Sequence, residues 1–224
     1  MLVTNDDGPS SPFFGPFVDR LRDSLGWDAE VFIPSSNRSF VSKGVTTGPV
    51  EVLTGPQCGL EARPGWRLAD ASPAACVNLA LYHLRPDCDL VVSGPNVGHN
   101  AGVASMLSSG TVGAAMEAAL AGRRAIALSF PFKRGWGKWT DAEVAAAVAV
   151  AAEVTARLWD AFEGPAGEGA EADVFNVNVP LGAGVEPHRA GPAGESPFPW
   201  LDCDLMQGGE AVAVRGATPD TATG

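Results

Sequence analysis

The four cysteines, Cys58, Cys76, Cys88 and Cys203, are too scattered to form a CxxC pair. That spacing argues against a zinc site and fits reduced thiols better than a disulfide frame. Cys76 falls in an apolar helical stretch and reads as a core residue. Basic residues are also scarce, with 15 Lys and Arg against 26 Asp and Glu, for a formal net charge of −11. A nucleic-acid duplex needs clustered Lys and Arg on its partner, so that class of ligand is not expected. One short basic stretch, Arg123, Arg124, Lys133, Arg134 and Lys138, remains to meet an anionic substrate, as would a bound cation. No apolar run reaches the ~18 residues of a membrane span, and no basic segment leads into an apolar one at the N-terminus. The expectation is a soluble, cytoplasmic protein with no membrane partner. No G-x-G-x-x-G follows the first apolar run, which argues against a nicotinamide-dependent oxidoreductase.

What the chain does contain is a succession of short apolar runs alternating with helical patterns. Leu2-Val3, Ala29–Ile33, Leu90–Ser93, Ala125–Phe130 and Val174–Val179 read as strands. Phe14–Leu25, Ala74–Leu84, Gly110–Ala121 and Asp141–Phe162 read as helices, the last opened by a capping box of Thr140 and Glu143. Alternation of this kind predicts a parallel sheet covered by helices on both faces, a Rossmann-like three-layer α/β/α sandwich. The expected division is one α/β domain over residues 1–180 and a loop-rich C-terminal appendage over 181–224. From Gly164 onward 18 of 61 residues are Gly or Pro, and after Pro180 only weak strand signals such as Ala211–Val214 appear.

Chemistry gathers where the strands end. Thr4-Asn5-Asp6-Asp7-Gly8 places adjacent carboxylates in a turn after the first strand. Two neighbouring carboxylates repel unless a cation lies between them, and hard divalent ions are held this way. After the second strand comes Pro34-Ser35-Ser36-Asn37-Arg38-Ser39, whose seryl oxygen and guanidinium suit a metal and a phosphate respectively. The strand Leu90–Ser93 runs into Gly94-Pro95-Asn96-Val97-Gly98-His99-Asn100, a loop with free backbone N–H groups and neutral amides. Ser108-Ser109-Gly110-Thr111 opens a helix with small hydroxyl residues, and a helix N-terminus is a ready anion site. No Walker lysine follows, so this is not an ATPase P-loop. His83 and His188 read as structural or solvent-exposed, whereas His99 lies inside the glycine loop. Each motif alone also reads as an ordinary turn or cap; together they would meet in one crevice, outside the carboxyl ends of a parallel sheet.

These stretches, with Ser72-Pro73-Ala74-Ala75-Cys76-Val77, resemble the SurE-type survival-protein nucleotidases, over Met1 to about Phe132 and again at Asn176–Pro180. The wording is nearer to the family's fungal and other eukaryotic branch, described as acid phosphatases, than to its bacterial one. The resemblance implies a divalent-metal-dependent phosphomonoesterase that hydrolyses nucleoside monophosphates at the 5′ or 3′ position. It implies Asp6, Asp7, Ser39 and Asn96 as ligands of Mg²⁺ or Mn²⁺, with Asp6 or Asp7 accepting the proton of the attacking water. Asn100, Ser109, Gly110 and Thr111 correspond to the phosphate-holding positions. Three departures stand out: Ala75 replaces a bacterial aspartate, Ser108 replaces a common bacterial tyrosine, and the sequence given stops soon after Ala211–Val214, short of the family's usual C-terminal strand and the extended hairpin arm that swaps between subunits. A homodimer built on that arm is therefore in question. The competing reading is a metal-dependent nucleotide- or phosphate-binding protein with little or no turnover.

Overall fold

Period-two alternation along the central strands sends one set of side chains to each face of a sheet, and two separate cores result. The computed structural model describes residues 1–58, 60, 63, 65–131, 139–162, 172–179, 202–207 and 210–214. Val3, Val31, Ile33, Val92, Ile126 and Leu128 belong to one buried cluster, while Leu2, Phe32, Val91, Ala125 and Ala127 belong to the other. Residues adjacent in sequence fall on opposite faces, as a pleated strand requires.

Among the described residues the strands are β1 (Leu2–Thr4), β2 (Glu30–Pro34), β3 (Val52–Thr54), β4 (Trp66–Ala69), β5 (Leu90–Val97), β6 (Arg124–Phe130), β7 (Ala172–Asn178), β8 (Asp202–Gln207) and β9 (Glu210–Val214). They form one sheet in the order β3-β4-β2-β1-β5-β6-β7-β8-β9. The six strands from β4 to β7 run parallel. β3 at one end and β8 and β9 at the other are antiparallel. The chain moves outward from β1 through β2 to β4, then returns to β5 on the other side of β1. The crevice between the ends of β1 and β5 is thus a topological switch point, where ligands of open α/β sheets bind.

The helices are α1 (Phe14–Leu25), α2 (Pro73–Leu79, continued by a π-helical turn over Ala80–Leu84), α3 (Val103–Ser108), α4 (Gly110–Leu120) and α5 (Asp141–Phe162). α1 and α5 cover the Val3 face and α2 and α4 the Leu2 face, giving the expected three layers. On the second face Ala114, Ala115 and Ala118 of α4 share a cluster with Ala125 and Ala127 of β6. Paired alanines let the helix lie close to the sheet.

The expected helices α1 and α5 have the anticipated bounds, and α2 begins one residue early because Pro73 suits the first turn. At α5 the capping box forms: Glu143 N–H donates to Thr140 Oγ1 at 3.2 Å and Thr140 N–H to Glu143 Oε2 at 2.8 Å. Thr140→Ala should therefore lower stability by about 1 kcal/mol, measured by thermal unfolding.

Three strands and the short helix α3 lacked a clear sequence signal. β3 and β4 were not anticipated, the latter because Arg67 interrupts its apolar run; its guanidinium meets Glu30 of β2 at 2.6 Å. β8 was equally silent, whereas β9 coincides with the weak signal at Ala211–Val214. The appendage expected to be loop-rich thus continues the sheet with two antiparallel strands.

Candidate metal centre and phosphate cradle

The turn after β1 is locked by its own asparagine. Asn5 Nδ2 donates to the Gly8 carbonyl at 3.0 Å, and Gly8 N–H donates back to Asn5 Oδ1 at 3.1 Å. This two-way clamp holds Asp6 and Asp7 at the switch point, 2% and 6% exposed.

Their carboxylates are tied to different elements. Asp6 Oδ1 accepts the Thr111 hydroxyl at 2.7 Å and Oδ2 accepts the Thr111 N–H at 3.2 Å, so Asp6 sits against the N-terminus of α4. Asp7 Oδ2 accepts the Val97 N–H at 2.8 Å, and Oδ1 accepts the Asn37 amide at 3.3 Å. Among the described residues neither carboxylate is paired with a basic side chain.

The electrostatic result is a charge deficit. Burial raises the Asp6 carboxyl above its ordinary value, opposed mainly by the Thr111 hydroxyl bond. Burial, then the neighbouring Asp6 charge, pushes Asp7 up to about 7. Two buried carboxylates without a cationic partner fit a divalent ion, whose charge removes this penalty. The donors brought here are carboxylate, amide and hydroxyl oxygens, which suit Mg²⁺ or Mn²⁺.

The other candidate positions lie on the surrounding strand ends. Ser39 follows β2, partly exposed, with its N–H donating to Asn37 Oδ1 at 3.0 Å. Its loop is bound to the Asp6 turn, since Arg38 N–H donates to the Asp6 carbonyl at 2.6 Å. The Arg38 guanidinium itself is drawn to Asp70. Asn96 is buried within β5, and its amide donates to the Gly98 carbonyl at 3.2 Å. Ser109 is the N-cap of α4, accepting the Val112 N–H at 3.2 Å. Gly110 packs directly on Asp6: a Cβ there would lie 3.0 Å from Asp6 Oδ2.

Asn100 is held by residues whose role had not been anticipated. Its N–H donates to Asn178 Oδ1 at 2.7 Å, its side-chain amide to Ser129 Oγ at 2.8 Å, and its carbonyl accepts the Asn176 amide at 2.9 Å. All four residues are buried. A signal existed in the pattern Phe175-Asn176-Val177-Asn178-Val179, because two asparagines in a buried strand must find partners.

Some expected contributors lie elsewhere. Arg123 donates to the Pro86 carbonyl at 2.7 Å and Arg124 faces Asp173 at 3.3 Å, just before and at the start of β6 and so at the opposite ends of the strands. They cannot serve the anion, because parallel strands point their other ends at the site. Lys133, Arg134, Lys138 and His188 lie outside the described residues. His99 and His83 are exposed, and Cys76 is buried in the core as expected. No helix among the described residues is long and apolar enough to cross a membrane.

Comparison with known proteins agrees with this arrangement. The chain is 33% identical to a 5′-nucleotidase SurE of Methanocella arvoryzae, over 92% of this chain and 82% of that one. It is 40% identical to a 5′-nucleotidase SurE of Variovorax paradoxus, over 80% of this chain and 64% of that one. The crystal structure of the SurE protein from Aquifex aeolicus superposes with a TM-score of 0.64 at 29% identity, covering 80% of this chain and 65% of that one. The chain thus spans slightly less than two thirds of the latter two proteins. The model of the survival protein SurE family matches residues 1–193, and the chain belongs to that family.

Proposed function

We propose that this chain is a divalent-metal-dependent phosphomonoesterase acting on nucleoside monophosphates. The observation that carries the reading is the buried, cation-deficient pair Asp6 and Asp7 at the switch point, set against the N-terminus of α4. The relatives named 5′-nucleotidase support the same chemistry. Asp6, Asp7, Ser39 and Asn96 would hold Mg²⁺ or Mn²⁺. Bound there, such an ion neutralises phosphoryl oxygens and lowers the pKa of an attacking water.

The remaining roles belong to the chain's own atoms. Asn100, Ser109 and Gly110 would form the cradle that orients the phosphate, with the α4 dipole favouring its charge, whereas Thr111, whose hydroxyl and N–H both go to Asp6, would act by holding that carboxylate beside the cradle. Asp7 is better placed than Asp6 to take the water's proton. Both Asp6 oxygens are engaged by Thr111, whereas Asp7 Oδ1 has only the 3.3 Å contact to Asn37. The leaving oxygen departs opposite the attacking water, as in-line displacement requires.

The deciding measurement is inorganic phosphate released from nucleoside monophosphates with Mn²⁺ or Mg²⁺ present. Release that EDTA abolishes and added metal restores is the expected result. Binding of nucleotide without release would instead identify a nucleotide-binding protein.

A further inference from the structure

Phe40 is 85% exposed, and its backbone has φ 60°. The left-handed region is an outlier for a bulky side chain, and leaving a phenyl ring in water forgoes its burial. Such strain persists only where the surroundings over-determine it, and it clusters at sites that bind or switch.

Here the surroundings do fix the loop. On one side Arg38 N–H donates to the Asp6 carbonyl at 2.6 Å. On the other, Ser42, itself at φ 54°, donates its N–H to the Ser108 carbonyl at 3.0 Å and its hydroxyl to the Leu107 carbonyl at 2.7 Å. α4 presses on the same point, since a Cβ on Gly113 would collide with the Ser42 carbonyl oxygen. The loop therefore bridges from the Asp6 turn to the residues just before Ser109, and Phe40 is its midpoint. It follows the candidate metal ligand Ser39 directly, and two residues later the loop is bound to the Ser108 carbonyl, next to Ser109 of the phosphate cradle. Val103 and Leu107, 65% and 58% exposed on α3, make the far anchor apolar as well.

We propose that Phe40 is a specificity-determining residue, its ring being the face on which the planar base of a nucleoside monophosphate stacks. The inference rests on the phosphomonoesterase reading above. The groups that would grip the phosphate are all short and polar, so none of them separates one leaving group from another. An exposed aromatic face does so, because stacking rewards any base and offers little to an alkyl alcohol. The expected selectivity is for planar over alkyl leaving groups, with weak discrimination among bases.

The test compares kcat/KM for a nucleoside monophosphate with that for glycerol phosphate, in the parent protein, Phe40→Gly, Phe40→Leu and Phe40→Trp. Glycine accepts φ 60° without strain, so the loop keeps its path. The preference for the nucleotide should fall about tenfold in Phe40→Gly, chiefly through KM, fall less in Phe40→Leu and persist in Phe40→Trp. An unchanged ratio, or equal losses on both esters, overturns the role of Phe40 while leaving the phosphomonoesterase intact. A parent protein that releases phosphate from neither ester overturns the underlying reading, and the role of Phe40 with it.

Discussion

Asp7→Asn should lower phosphate release by about 10³-fold or more, since it removes a metal-ligand charge and the proposed proton acceptor together. The same substitution should make the metal-free protein more stable at neutral pH. In the fold the Asp7 carboxyl is pushed up from 3.8 to about 7 by burial and by Asp6. A raised acid holds its proton more tightly folded than unfolded, so stability falls as pH rises from about 4 to about 7 and is flat above. The penalty above about pH 7 is on the order of 4 kcal/mol, taken from that shift. Asparagine is neutral at every pH and escapes it. Thermal midpoints in EDTA should therefore drop between about pH 4 and about pH 7 in the parent, and drop less in Asp7→Asn. Added Mn²⁺ should restore the parent at the higher pH and leave the variant nearly unmoved. Full activity in Asp7→Asn, or identical pH profiles for the two proteins, would remove Asp7 from the site.

Asn178→Ala is expected to produce the second large effect, this time through positioning. The change deletes the acceptor of the Asn100 N–H, a 2.7 Å bond between buried residues. An orphaned buried donor costs about 1 to 3 kcal/mol, and a small cavity adds to it. Urea midpoints should report that loss. The Asn96 to Asn100 loop should also loosen, lowering kcat/KM by about 10- to 100-fold, because small misplacements at a reacting centre are costly. Asn178→Asp keeps the acceptor oxygen and should recover more of the activity than Ala. Equal losses in both variants would mean that Asn178 serves the core alone.

Sequence patterns reveal some parts of this architecture better than others, for physical reasons. α1, α5 and the central strands announce themselves because burial on a fixed face imposes a period on the apolar residues. The Asp6-Asp7 turn is legible because adjacent carboxylates need an explanation wherever they stand. Thr111 was expected at the phosphate, and its two donors meet Asp6 in the fold. That bond spans 105 residues of sequence and leaves no local trace. The Asn100 clamp is hidden in the same way, since Ser129, Asn176 and Asn178 become its partners only once β6 and β7 lie side by side. β4 is masked by Arg67, whose charge reads as surface until Glu30 is found beside it.

The alanines between α4 and β6 act at a distance from any chemistry. Ala114, Ala115 and Ala118 share a buried cluster with Ala125 and Ala127, and their small methyl groups let the helix ride low over the sheet. That height decides whether Thr111, at the top of α4, can reach Asp6, at the end of β1. Small interior side chains thus serve as the ruler for the reach from Thr111 to Asp6.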